Sequence, residues 1–282
     1  MTHSTPICPR PRRRAWRSAA ESIRELVRAC GLFIKDIDRQ SLHVDAKSGR
    51  ADLVTQYDKE VQERLRKGLL EIMPDAHFVG EEGSTQAFAP VGKFFIVDPI
   101  DGTTNFVKGY NFSSISVALG VDNAAELGVI YNPYADEMFW AQRGQGAFCN
   151  GRPLHVSDEP LENGIVVFGT APYHEELSER TFQLAYDYFQ KALDIRRSGS
   201  AALDLCSVAA GRAELFFELF LSPWDFAAGA LIVTEAGGVV TDCDGRPLAY
   251  DRPCSVLARN KLAVPFPNAR LASPSRPASP AR

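Results

Sequence analysis

The segment DPIDGTTNF, residues 98–106, places two carboxylates three residues apart at the end of a short apolar run. KFFIVDP (93–99) reads as a buried strand that delivers Asp98 at its end, with Pro99 fixing the turn that follows. Gly102 lets the backbone bend close to another group, and Thr103 and Thr104 can donate or accept at a helix start. Two carboxylates and the Ile100 carbonyl within four residues can clamp a hard cation through oxygen alone. A plain Asx/Gly turn after a strand would also account for them.

Two more acidic motifs strengthen the cation reading. GEE (80–82) follows the short apolar stretch HFV, and Trp224-Asp225 opens an Ala/Gly-rich helix that can aim the Asp225 carboxylate from its N-terminus. The alternatives are a helix N-cap for Asp225 and solvated loop charges for Glu81 and Glu82, the reading preferred for Glu82. If the groups converge, like charges about 4 Å apart cost roughly 4 kcal/mol per pair at an effective dielectric near 20. Cations or raised pKa values must then relieve them. No His or Cys stands in these motifs, so the donor set suits Mg²⁺, with Mn²⁺ or Ca²⁺ as substitutes, and not Zn²⁺.

The periodicity supplies elements to carry these groups. Trp16, Ala20, Ile23, Val27, Cys30, Ile34 and Ile37 recur at helical steps, and residues 56–72 form a second amphipathic pattern that Pro74 ends. SISVALGV (114–121), AELGVIYN (125–132), EMFWAQ (137–142) and LHVS (154–157) read as a mostly antiparallel meander. GIVVFG (164–169) and AELFFELF (213–220) read as strands, and residues 176–192, 200–210 and 225–236 as helices. Mixed order with several hairpins predicts a layered α+β or mixed α/β fold, not a doubly wound parallel sheet. One domain over 15–267 is expected, between Pro/Ser/Arg-rich disordered tails at 1–14 and 268–282.

Composition narrows the function classes. The 282 residues carry a net charge of −4, but the eight arginines of 1–20 and 268–282 hide a body (21–267) of 23 basic and 35 acidic residues, net −12. An acidic body does not suit phosphate-backbone binding, although the Arg-rich ends could touch RNA electrostatically. Apolar runs fall short of a membrane span. The six cysteines form no C-x-x-C pair, and the chain is expected to reside in a reducing, cytoplasmic compartment. There is no G-x-x-x-x-G-K-[ST] and no G-x-S-x-G. Gly144-Gln145-Gly146 is a hairpin turn, and Ser178 stands where His174-Glu175 would need a second His.

DPIDGTTNF, the GEE before it and WDFAAGALIVTEAGG (224–238) after it resemble the signature set of the inositol monophosphatase family. Order and spacing match over roughly residues 15–262, and IYNPYADEMFWAQRGQGAFCNG (130–151) is similar too. The resemblance implies a lithium-sensitive, Mg²⁺-dependent phosphomonoesterase with a layered αβαβα sandwich of the inositol monophosphatase / sugar phosphatase type, commonly a homodimer. It implies two or three Mg²⁺, with Glu81, Asp98 and the Ile100 carbonyl on the first ion and Asp98, Asp101 and Asp225 on the second. It further implies that Asp58, in a K-x-x-x-x-D-x-V-T-x-x-D stretch running from Lys47 through Asp52 and Thr55, pairs with Thr103 to orient and deprotonate the attacking water. Thr55-x-x-Asp58 also reads as a helix capping pair, and both roles can hold together. Glu81 joins these two as a catalytic candidate. Substrate contacts fall on Asp101, Gly102, Thr103, Gly199, Ser200, Ala201, Glu218 and Asp225. Ser200 stands where the family commonly has Thr, and around Thr170, near a substrate-contacting Ser, the sequence diverges. The substrate implied is a phosphorylated polyol, myo-inositol 1-phosphate first. Histidinol phosphate, a 3′-phosphonucleotide or a non-catalytic transcription-associated role are the alternatives.

Overall fold

The computed structural model describes residues 10–39, 42–46, 53–83 and 91–265. Lys47, Asp52 and the expected C-terminal tail lie outside them. Helix α1 spans Arg10–Lys35 and α2 spans Gln56–Ile72, and together they form an outer layer. The helical stripe read from the sequence is their buried face: Ile23, Val27, Cys30 and Ile34 meet Val61, Leu65 and Leu69. α1 takes in residues 10–14, since Pro11 falls in its first turn, where a missing N–H costs no hydrogen bond.

Beneath lies a seven-stranded sheet in the order β3-β4-β5-β6-β7-β8-β9. Its strands are β3 (His77–Gly80), β4 (Lys93–Asp101), β5 (Ser114–Val121), β6 (Ala124–Asn132), β7 (Glu137–Gln142), β8 (Ala147–Cys149) and β9 (Arg152–Pro153). β3 runs parallel to β4, and every later pair is antiparallel, the expected meander. Residues 94–97 of β4 are an unbroken apolar run because both faces are covered. Phe95 and Val97 face α1 and α2, while Phe94 and Ile96 face the middle layer.

That middle layer is α5 (Ala201–Ala209) and α6 (Pro223–Glu235). It is sandwiched between the first sheet and a five-stranded one, and small Ala and Gly residues let α6 fit there. The second sheet has the order β11-β10-β12-β14-β13, from β10 (Ile165–Phe168), β11 (Asp194–Arg196), β12 (Leu215–Leu221), β13 (Val239–Thr241) and β14 (Cys254–Arg259). β10 is parallel to β11 and β12, and the other pairs are antiparallel. Helix α4 (Ser178–Phe189) closes the outer face through Leu184, Ala185 and Tyr188. The result is the αβαβα sandwich. A short hairpin of β1 (Val44–Ala46) and β2 (Leu53–Thr55) precedes α2, and α3 (Thr103–Lys108) follows β4.

Two local expectations differ. LHVS (154–157) is not a strand: its amides turn elsewhere, Leu154 N–H to the Ala147 carbonyl at 2.8 Å and Val156 N–H to the Ala236 carbonyl at 3.1 Å. The last helix starts at Pro223, capped by Ser222, so Asp225 is the third helical residue and not the cap.

Candidate active site

The chemistry begins with a register shift. Asp98 and Asp101 are an odd number of residues apart, which on a regular strand puts them on opposite faces. Asp98 pairs with Ser116, and Asp101 pairs with Ser114, so β4 carries one extra residue between them. This bulge brings both carboxylates to one side. Asp98 Oδ1 accepts the Ile100 N–H at 3.0 Å, and the Thr103 hydroxyl is 3.1 Å from the Ile100 carbonyl.

Asp225 arrives from the start of α6, its Oδ2 accepting the Ser222 N–H at 2.7 Å. One carboxylate oxygen each from Asp98, Asp101 and Asp225 lies within 4.8 Å of the others. Glu81 comes from the end of β3, its N–H donating to the Val97 carbonyl at 3.1 Å, and it lines the same cavity of about 290 Å³. The GEE turn is clamped from α2: Gln62 Nε2 donates to the Glu82 carbonyl at 2.7 Å and its Oε1 accepts the Glu82 N–H at 2.8 Å.

Crowding and burial act on these groups as expected. Burial, then the charges of Glu81, Asp101 and Asp225, push the Asp98 carboxyl well above the usual carboxylate range. Burial, then Glu81 and Asp101, does the same to Asp225. Asp101 rises only to about 6, because hydrogen bonds offset its burial. Its Oδ2 accepts from the Ser200 hydroxyl, from the Ala202 N–H at 3.2 Å and from Ser114 at 3.3 Å, tying β4 to the N-terminus of α5.

Asp58 is buried at the start of α2, where it closes a capping box with Thr55. Its Oδ2 accepts the Thr55 N–H at 2.7 Å, and its Oδ1 is 3.3 Å from the Thr103 hydroxyl. Gly102 precedes α3 with φ of 83°, and a Cβ there would sit 3.0 Å from the Gly199 carbonyl. Only glycine allows the two loops to approach so closely. Asn105 fastens them, donating to the Phe112 carbonyl at 2.8 Å and the Ser198 carbonyl at 2.9 Å.

Across the cavity, Glu218 projects from β12 and accepts the Ala171 N–H at 2.8 Å. Burial pushes its carboxyl up to about 7. Any Cβ at position 169 would collide with this carboxylate, which explains Gly169. Arg197 donates to the Thr170 hydroxyl at 3.2 Å. Asp204, buried one turn into α5, accepts from the Ser198 hydroxyl.

The comparisons bear directly on this arrangement. The model of the inositol monophosphatase family matches residues 16–273. The chain belongs to the inositol monophosphatase family. Tomato (Solanum lycopersicum) inositol monophosphatase 2 is 41% identical over 232 residues, covering 78% of this chain and 86% of that protein. The Nus factor SuhB of Pasteurella multocida is 38% identical over 226 residues, covering 79% and 84%. The crystal structure of the extragenic suppressor protein suhB from Bartonella henselae superposes with a TM-score of 0.76 at 37% identity, covering 89% and 95%. The protein is thus a phosphatase of the inositol monophosphatase family.

Within that family frame, the acidic cluster fits a divalent cation: its donors are all oxygen, they are buried, and they repel one another. Every residue singled out from the sequence on the metal side lines one cavity: Glu81, Asp98, Ile100, Asp101 and Asp225. Gly102, Thr103, Gly199, Ser200, Ala201 and Glu218 line it as well. Glu82 does not border it. Thr170 is turned to Arg197, so its neighbours Gly169 and Ala171 form the wall. Sequence reading missed Asp204, Arg197 and Gln62. An acid in a first helical turn reads as a dipole or cap partner, and an Arg in a loop or a Gln on a helix carries no signal of its own.

Proposed function

We propose that this chain is a Mg²⁺-dependent phosphomonoesterase acting on a phosphorylated polyol, with myo-inositol 1-phosphate as the favoured substrate. The observation that carries this reading is the convergence of carboxylates from three separated stretches in one cavity. Glu81, Asp98 and the Ile100 carbonyl would hold one ion, and Asp98, Asp101 and Asp225 a second, with room for two or three in all. Bound there, divalent ions supply Lewis acidity, which lowers the pKa of an attacking water and offsets charge on the departing alkoxide.

The protein's own groups do the rest. Thr103 and Asp58 orient the water, and Asp58 draws its proton through the Thr103 hydroxyl, with Glu81 beside them. Gly102 and Thr103 present backbone N–H groups to the phosphate. Gly199, Ser200 and Ala201 shape the alcohol side with Glu218, which accepts from polyol hydroxyls, while Asp101 and Asp225 border the scissile bond. Inhibition by Li⁺ and a homodimeric assembly complete the reading. No helix among the described residues is long and apolar enough to cross a membrane, and the free cysteines fit a reducing compartment.

A phosphate-release screen tests it, using inositol 1-phosphate, histidinol phosphate and a 3′-phosphonucleotide with and without Mg²⁺ and Li⁺. Mg²⁺-dependent, Li⁺-inhibited release fastest from inositol 1-phosphate is expected. Fastest release from another substrate moves the assignment within the phosphatase class, and no release under any condition sinks it. The relative named as a Nus factor supports a second reading, a transcription-associated binding role. RNA capture that persists at physiological salt without residues 1–14 would favour it.

A further inference from the structure

Beside Glu218 the cavity wall becomes aromatic. Phe220 lies two residues further along β12, and Tyr173 two residues beyond Ala171, whose N–H donates to Glu218 at 2.8 Å; Phe220 and Tyr173 both line the cavity. Phe220 is half-buried and Tyr173 is 56% exposed. The pair is built in place. Ala171 takes a φ of 40°, a left-handed conformation that a residue with a Cβ rarely adopts. Its carbonyl accepts the His174 N–H at 2.8 Å, closing the turn that presents Tyr173. The His174 ring, which does not border the cavity, packs on Phe220 with centroids 3.9 Å apart. Glu218 is thus both a hydroxyl acceptor and the anchor of the turn that carries Tyr173.

Isolated hydroxyls make little use of flat apolar faces. A six-membered ring with mostly equatorial hydroxyls is different: its edge is polar, and its axial C–H groups form an apolar face that the negative face of an aromatic ring attracts. We propose that Tyr173 and Phe220 are specificity-determining residues that receive the C–H face of a cyclic polyol, while its equatorial hydroxyls meet Glu218 and Arg197. Arg197 suits that role. It is the one basic residue among the described residues that line the cavity, it can only donate, and its hydrogen bond to the Thr170 hydroxyl at 3.2 Å ties it to the segment that carries Tyr173. An acyclic polyol phosphate offers the same hydroxyls without a continuous C–H face, and it loses more rotor freedom on binding. The inference rests on the polyol-phosphatase reading above and adds to it a requirement for a ring alcohol.

Steady-state kinetics of the full chain at saturating Mg²⁺ tests it, with myo-inositol 1-phosphate as the cyclic ester, glycerol 1-phosphate as the acyclic one and adenosine 3′-phosphate as an ester with a flat aromatic ring. The wild type should favour the cyclic over the acyclic ester by about tenfold or more in kcat/KM. Tyr173→Ala and Phe220→Leu should each shrink that preference by about fivefold or more, through the KM of the inositol ester. Phe220→Tyr, which keeps the flat face, should retain it. Tyr173 is exposed, so its truncation leaves the core untouched. A wild type without the preference, a preference unchanged in the variants, or equal losses on both polyol esters overturns the subsite while the phosphatase reading stands. A loss confined to adenosine 3′-phosphate shows that the two rings read a flat heteroaromatic group and overturns the C–H-face assignment. No release from any of the three esters sinks the phosphatase reading and this inference with it.

Discussion

Asp58 and Thr103 meet across two layers of the fold: Asp58 Oδ1 lies 3.3 Å from the Thr103 hydroxyl, while Asp58 Oδ2 holds the first turn of α2 through Thr55. One carboxylate therefore serves a cap and a candidate catalytic pair. Asp58→Asn keeps an acceptor for the Thr55 N–H but loses the charge that takes the proton. We expect kcat to fall about 10²- to 10⁴-fold with little change in Tm. Thr55→Ala should do the reverse, costing about 1 kcal/mol of stability while keeping most of kcat. Steady-state rates and thermal melts on both variants separate the roles; a fully active Asp58→Asn would leave only the cap.

Asp98 and Asp225 are raised by burial and by neighbouring carboxylates, so the metal-free protein carries electrostatic strain that a divalent ion relieves. Asp98→Asn and Asp225→Asn are expected to fold, to be at least as stable as the wild type in EDTA, and to lose nearly all turnover. Mg²⁺ at about 100 times its Kd should stabilise the wild type by about 2.7 kcal/mol and the variants far less. Melting curves with and without Mg²⁺ measure this. Full activity in either variant contradicts the metal assignment.

The metal side was legible in the sequence because DPIDGTTNF and GEE are local, and because four mutually repelling carboxylates imply a cation wherever they meet. The layers were legible in outline from strand and helix periodicity. What was hidden is relational. The bulge that brings Asp98 and Asp101 to one face depends on pairing with Ser114 and Ser116, which no window of β4 contains. The short strands β11 and β13 carry too few residues for a periodic pattern, and they exist because β10 and β14 lie beside them. Arg197 and Asp204 flank the 198–200 loop, which long-range bonds from Asn105 to the Ser198 carbonyl and from Ser200 to Asp101 hold against α3 and β4.

Glu218 gives a pH signature. Burial raises its carboxyl from near 4.5 in an ordinary glutamate to about 7, so between those values the folded state binds more protons than the unfolded one. Stability must then fall as pH rises through that window, by at most about 1.4 kcal/mol per pH unit from this group. Glu218→Gln removes the titration. In EDTA, its stability relative to wild type should grow from pH 5 to pH 7, and its KM for a polyol phosphate should rise. Urea denaturation across that range checks the slope; parallel curves for the two proteins would refute the attribution.

Gln62 is not among the residues lining the cavity, yet it clamps the turn that carries Glu81. Its amide both donates to and accepts from the Glu82 backbone, and Gly80 leaves it space, since a Cβ there would sit 2.1 Å from Gln62 Oε1. Gln62→Ala removes both hydrogen bonds and leaves the 81–83 turn without this tether to α2. Partners that orient a metal ligand are typically worth about 10- to 100-fold in metal affinity. The half-saturating Mg²⁺ concentration should therefore rise by about tenfold, while kcat at saturating Mg²⁺ stays within a few-fold of wild type. A general loss of folding would instead lower kcat at every Mg²⁺ concentration. An unchanged Mg²⁺ dependence would show that β3 alone, through the Glu81 N–H to the Val97 carbonyl, suffices to position the ligand.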